Sequence, residues 1–456
     1  MTRYLAPAAL LPAGWTDDVL LEVDDHGWIR SAAAVATERH AAVRLPGPVV
    51  PGVVNGHSHA FQRGLAGGAE LRSPGGDTFW GWREALYRFL DRLGPDEMEA
   101  VAVQLYTELL EQGYTRVVEF HYLHHDPRGV RYADPMEMSH RLAAAAAAAG
   151  IGLTLLPVLY QAGDFGGARP APGQLRFLND CDGYLGLLDG VSALGGEARG
   201  SVQAGIAFHS LRAVPPSAMD EVMRAAPPDL PVHIHAAEQP REVRDCQAWS
   251  GLRPVEWLLH HQPVDRRWSL VHCTHMRPHE VGGLASTGAT VVVCPSTEGN
   301  LGDGLFALEA FLDAEGSLAI GSDSHVSTSP VEELRWLEYG QRLATGRRAV
   351  AASDRHPSPG RRLLEAVGAG GAAAAGVEVG ALAPGHQADW VVLDPSHPVL
   401  AGRRNDGWLD AWVFSGNQSP IREVWTRGRR VVAEGRHPHR DAHARAFRRV
   451  MSQLMK

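Results

Sequence analysis

Lysine is almost missing from this chain. Lys and Arg together number 43 in 456 residues, and the single lysine is Lys456, the last residue. That absence excludes three chemistries. No internal amine can form a Schiff base, clamp phosphate in a Gly-rich loop, or be carboxylated to bridge two metal ions. Codon bias in a GC-rich genome, which favours Arg, Ala and Gly together, is a sufficient cause. Cysteine is scarce too. Cys181, Cys246, Cys273 and Cys294 lie far apart and form no CxxC pair, which argues against a disulfide scaffold or zinc ribbon and fits a reducing cytoplasm. No apolar run reaches the roughly 18 residues of a membrane span. The short apolar stretch near the N-terminus is interrupted by Pro7 and Pro12, so it reads as a strand and turn rather than a signal peptide. The net charge is −9 with no basic run, a poor basis for binding nucleic acid.

What is present is an ordinary globular mixture, 45% hydrophobic and 21% charged, long enough for two or three domains or one barrel with an attached module. Residues 1–48 read as short strands, with VLLEVD (19–24), a turn-like DHG and then WIR. Eight apolar runs of strand length follow, at 49–59, 115–125, 152–160, 202–210, 230–238, 268–275, 289–296 and 317–325. Helix-like segments separate them, such as 95–113 and the alanine-rich 138–150. Buried parallel strands read as continuous apolar runs joined by helices. Eight such units predict an α/β fold, a (β/α)8 TIM-like barrel over 49–375. Short strands resume over 376–456, with a final helix. With 1–48 they are expected to form a small β-sandwich domain built from both chain ends.

The polar residues fall at the C-terminal ends of these runs, where barrel enzymes place their chemistry. His57 and His59 end the first run. Residues two apart on a strand share a face, so both imidazoles can reach one metal ion. His235 ends the fifth run, and Glu238 follows three residues later, an acid/base beside a bound water. His233 is expected to pack deeper in the barrel. His272 lies in the sixth run and Asp323 ends the eighth. Each alone is more simply a helix cap or a core histidine. Together they sit on strands one, five, six and eight of one barrel, whose ends converge on one mouth. Nitrogen and oxygen donors of this kind suit Zn2+, with Fe2+ as the alternative.

The segments PGVVNGHSH, HIHAAE, VHCTH and IGSDSH, in that order, resemble the amidohydrolase superfamily, and GALAPGHQADWVVLD is similar to its closing β-domain signature. The resemblance spans nearly the whole chain. It implies a composite β domain beside the barrel. It also implies a mononuclear centre, because the fourth run ends in His209-Ser210 where binuclear members carry a carboxylated lysine. Within that superfamily, NGHSHAFQRGLAG (55–67), VEFHYLHHD (118–126) and FHSLRAV (208–214) are similar to the N-formimino-L-glutamate deiminases of histidine degradation. By that resemblance His57, His59, His235 and Asp323 bind one zinc ion. Glu238 shuttles protons, His272 orients the water or the reacting nitrogen, and Asp323 joins them in catalysis. Gln62, Arg83, Tyr122, His209 and Arg212 contact the substrate. The implied protein is a cytoplasmic homodimer acting on a small molecule, with no nucleic-acid or membrane partner. Arginines at the mouth match a substrate with two carboxylates. Two alternatives stay open. One is another deaminase of this branch, acting on a purine, pyrimidine or adenosyl compound. The other is an inactive barrel that serves in binding or assembly.

Overall fold

The eight apolar runs become eight parallel strands. In the computed structural model, residues 1–35, 42–70, 79–197 and 201–455 are described, with side chains described for all of these except 79–84 and 196–197. The strands are Val53–Ser58, Tyr114–His121, Gly152–Leu159, Ile206–Ser210, Val232–Ala236, Trp268–His272, Thr290–Val293 and Ser317–Ile320, and they neighbour one another in that order. Val202–Ala204 adds a short rung to the third strand. The first and last strands are joined at their C-terminal ends. There Ser58 and Asp323 form a parallel bridge, Asp323 N donates to His57 O at 3.0 Å, and His59 N donates to Asp323 O at 3.2 Å.

Helices cover the outside. Helix Pro95–Glu111 begins with proline, whose missing N–H costs nothing at that position, and the Glu97 carboxylate accepts from Gly94 N at 3.1 Å. The alanine-rich helix Glu137–Ala149 stops at Gly150, whose φ of 82° favours a residue without a Cβ.

The run 49–59 is not one strand. Val49–Pro51 pairs with Trp390–Leu393 in a different sheet, and only Val53–Ser58 enters the barrel. Gly52 separates the two, because a Cβ there would overlap the Thr115 side chain. Strands from both chain ends form one eight-stranded mixed sheet. Three ladder steps separate Thr2–Leu11 from Ile421–Thr426, roughly 14 Å in a flat sheet. Yet Tyr4 on the first meets Trp425 on the second with ring centroids 5.2 Å apart, and meets Trp390 at 5.1 Å. The sheet therefore curls into two facing layers around its own core. The last helix, Arg440–Leu454, packs on the barrel instead, where Thr107 Oγ1 lies 2.8 Å from His443 Nδ1.

Helix Pro359–Ala375 closes the barrel floor. Ala374 joins Val271, Val292, Cys294 and Ala319 in one buried cluster, and His233 Nε2 lies 2.8 Å from Ala374 O. Contact is backbone on backbone, since a Cβ on Gly370 would overlap the Leu318 carbonyl. Gly370→Ala is accordingly expected to destabilise the fold by about 1–3 kcal/mol, the ordinary cost of overpacking. A matched denaturant titration reads this, and an unshifted midpoint would count against the close approach. Among the described residues no helix is long and apolar enough to cross a membrane.

Candidate active site

The mouth is built on strained backbone. Ala237, His272, Cys273, Asp323 and His325 have φ of 53°, 72°, 52°, 45° and 60°, a region that costs non-glycine residues ~1–3 kcal/mol each. All follow or end a barrel strand, and the turns they make aim side chains inward. Capping carboxylates hold the ends of the fifth and seventh strands. Glu242 accepts from Ala237 N at 3.1 Å and from Glu238 N at 2.9 Å, and Glu298 accepts from Cys294 N at 2.9 Å. Beneath the first strand end, Glu119 accepts from Ser58 Oγ at 2.6 Å, Ala60 N at 2.7 Å and Tyr106 OH at 3.2 Å. Burial pushes its carboxyl up to about 7.

The His57, His59 and His235 rings converge. His57 Nε2 lies 3.2 Å from His59 Nε2 and 3.0 Å from His235 Nε2. His59 Nδ1 faces Phe120 O at 2.9 Å, and His235 Nδ1 faces His209 O at 2.8 Å. A carbonyl only accepts, so each Nδ1 carries a hydrogen and each neutral ring presents a bare lone pair at Nε2. Burial keeps all three rings neutral by lowering their pKa values. Asp323 Oδ1 completes the group, 3.5 Å from His57 Nε2 and 3.3 Å from His59 Nε2. Converging lone pairs and a carboxylate repel one another unless a cation sits among them. A tetrahedron with ~2.0 Å metal–nitrogen bonds has edges of about 3.3 Å, so the donor set fits one divalent ion.

The acid–base groups stand beside this cluster. His272 Nε2 is 3.7 Å from Glu238 Oε1 and 3.9 Å from Asp323 Oδ2, and its Nδ1 is 3.3 Å from Glu298 Oε1. Burial lowers the pKa of His272, but the Glu238, Glu298 and Asp323 carboxylates outweigh it and bring it to about 10. Burial raises the Glu238 carboxyl against the opposing pull of His272 and Arg212. Asp303, which accepts from Gln239 Nε2, is pushed up to about 9 by burial and by the charge of Glu238.

The structure brings most of the expected substrate residues to the same mouth. Gln62 Nε2 donates to Tyr122 OH at 3.1 Å. The Tyr122 ring packs edge-on against His59 at 5.0 Å and His209 at 5.5 Å. Arg212 is half-buried, and its Nε has no hydrogen-bond partner among the described residues. Burial opposes its charge, yet the Glu242 and Glu238 carboxylates more than compensate and raise its pKa. Arg83 falls in helix Phe79–Leu90, with its side chain outside the described residues. Sequence reasoning missed Glu119, Glu242, Glu298 and Asp303. A signal existed for two of them. In PRE (240–242) and PSTE (295–298) a proline opens a helix just after a strand, and an acid follows in the first turn, the pattern of a capping carboxylate.

Residues 49–431 match the pattern of the amidohydrolase family. The formimidoylglutamate deiminase of Pseudomonas aeruginosa is 50% identical, and the alignment covers 100% of both chains. An amidohydrolase of Brucella melitensis, known from a crystal structure, superposes with a TM-score of 0.95 at 45% identity over 100% of each chain. An adenosine deaminase of Xanthomonas campestris with bound zinc shares the fold, with a TM-score of 0.81 at 20% identity, covering 100% of this chain and 98% of the other.

Proposed function

The chain belongs to the amidohydrolase family, and from that premise we infer that it hydrolyses N-formimino-L-glutamate to N-formyl-L-glutamate and ammonia. The observation that carries this reading is 50% identity to a formimidoylglutamate deiminase over the full length of both chains. The likeness to an adenosine deaminase, at 20% identity, is one of fold alone.

His57, His59, His235 and Asp323 would hold the metal ion, with zinc the ion their nitrogen and oxygen donors favour. When bound, a divalent cation lowers the pKa of water from ~15.7 to about 7 and polarises the carbon under attack. Asp323 takes the proton of the attacking water as its oxygen bonds to the formimino carbon. Attack on the protonated formimino group leaves a terminal amino group. Glu238 gives that nitrogen a proton, the bond from carbon to it breaks, ammonia leaves, and the remaining hydroxyl proton returns to Glu238 as the formyl carbonyl forms. His272, fixed by Glu298 on one ring nitrogen, presents the other between Glu238 and Asp323 and steers the water or the reacting nitrogen. Gln62, Tyr122 and His209 wall the pocket, while Arg212 and Arg83 take the two carboxylates. The Arg212 Nε, without a partner among the described residues, supports its part, since a buried donor left unpaired gains most from an anionic acceptor. The proposed assembly is a homodimer in the cytoplasm, a compartment consistent with four buried, unpaired cysteines.

The metal-loaded protein incubated with N-formimino-L-glutamate should release ammonia and formylglutamate in equal amounts. Formamide and glutamate would mean that the other C–N bond breaks and that Glu238 protonates the wrong nitrogen. Neither product would overturn the substrate. A chelator should abolish turnover, and one equivalent of metal should restore it.

A further inference from the structure

Asp323 faces two ways. Its Oδ1 lies 3.3 Å and 3.5 Å from the Nε2 atoms of His59 and His57, whereas its Oδ2 lies toward His272 Nε2 at 3.9 Å. Near His272 and Asp323 stands Cys294, a fully buried thiol just after the seventh strand with no part in the reaction above. The donor atoms of His272, Cys294 and Asp323 all lie within 4.8 Å of one another, and Glu238 Oε1 is 3.7 Å from His272 Nε2. Glu298, 3.3 Å from His272 Nδ1, stands where an outer carboxylate orients a metal-binding imidazole. The cluster thus offers one nitrogen, one sulfur and carboxylate oxygen. It is softer than the three-histidine set beside it.

We propose that His272, Cys294 and Asp323 form a second cation site, selective for soft ions and bridged to the first through the two oxygens of Asp323, whose occupation inhibits the enzyme. Thiolate ligands select soft ions. The 3.9 Å from His272 Nε2 to Asp323 Oδ2 exceeds the edge of about 3.3 Å in a zinc tetrahedron, so a larger soft ion, Cd2+, is the better fit. Binding releases two protons to solvent, one from the Cys294 thiol and one from His272 Nε2. It also removes His272 Nε2, Asp323 Oδ2 and the neighbouring Glu238 from proton transfer, hence the inhibition. No lysine is needed, because the bridging group is a carboxylate already present. The proposal rests on the reading of His57, His59, His235 and Asp323 as the resident metal site.

The test uses the full chain loaded with one zinc ion and titrated with Cd2+. Bound zinc and cadmium are measured after gel filtration, together with the ultraviolet thiolate-to-cadmium band and formiminoglutamate turnover. The expected result is one cadmium bound with zinc retained, a new band, and at least a tenfold loss of turnover. Cys294→Ala should keep zinc and basal turnover, lose the band, and raise the inhibitory Cd2+ concentration at least tenfold, with Cys294→Ser as the substitute if that variant does not fold. Cys246→Ala, on helix Pro240–Ser250, should behave as the parent does. Cadmium exchanging for zinc one for one, a band that survives loss of Cys294, or unchanged inhibition in that variant each overturns the site. Stoichiometry and band are read without substrate. Protein that binds both ions but does not turn over formiminoglutamate would therefore sink the functional reading and leave this site standing.

Discussion

Glu238→Gln is expected to remain folded and metal-loaded and to lose roughly 10²- to 10⁴-fold in kcat, the span of general acid–base catalysis. Glutamine keeps the size and the neutral hydrogen-bonding capacity but cannot deliver the proton. Local geometry should survive, because the Glu242 carboxylate holds the backbone N–H groups of residues 237 and 238, not the Glu238 side chain. Metal content should survive as well, since Glu238 is outside the group formed by His57, His59, His235 and Asp323. The raised Glu238 carboxyl suits a group that must hold a proton near neutrality and then give it up. Steady-state kinetics with metal analysis decides the matter. Loss of metal in parallel with activity would make Glu238 a ligand, and a rise in KM at unchanged kcat would make it a binding residue.

Arg212→Met should lower kcat/KM for formiminoglutamate by roughly 30- to 4000-fold, the equivalent of about 2–5 kcal/mol for truncating one partner of a buried charge pair. Methionine retains much of the length and apolar stem, so the loss isolates the guanidinium. The cation stands near Glu238 and Glu242, so part of the effect should appear in kcat through a Glu238 carboxyl pushed further upward, and part in KM through lost substrate anchoring. An enzyme of this branch acting on a neutral nucleobase has no carboxylate for Arg212 to hold and would tolerate the change. Survival of formiminoglutamate turnover in the variant would defeat the substrate argument.

The barrel was legible because its signal is one-dimensional. Eight apolar runs in sequence suffice to place eight parallel strands, and the polar residue closing each run falls at the mouth by the geometry of the fold. His57, His59, His235, His272 and Asp323 were reachable this way. Two kinds of feature were not. The split at Gly52 depends on Thr115, which lies on the neighbouring strand, and no local pattern in 49–59 announces it. The supporting carboxylates act across elements. Glu119 serves Ser58 and Ala60 from the second strand, and Glu298 serves His272 from the helix after the seventh. A lone Glu inside an apolar strand or at a helix start has the same appearance in sequence whether it supports a site or merely caps a helix. Cys294 was counted as evidence of a reducing environment. Its position against Asp323 becomes visible only when the last two strands are placed side by side.

The seam between the first and last strands has a consequence for how the chain folds. The bonds from Asp323 N to His57 O and from His59 N to Asp323 O join segments at opposite ends of the barrel sequence. Contacts so far apart carry a large loop-closure entropy and are rewarded only once the intervening chain is organised. Three of the four groups assigned to the metal sit on that seam. An ion held there ties together the contact that is entropically hardest to make, so its binding free energy is also folding free energy. Apo and holo protein should then differ most in how readily the ring of strands opens, and the catalytic ion doubles as the last cross-link of the barrel.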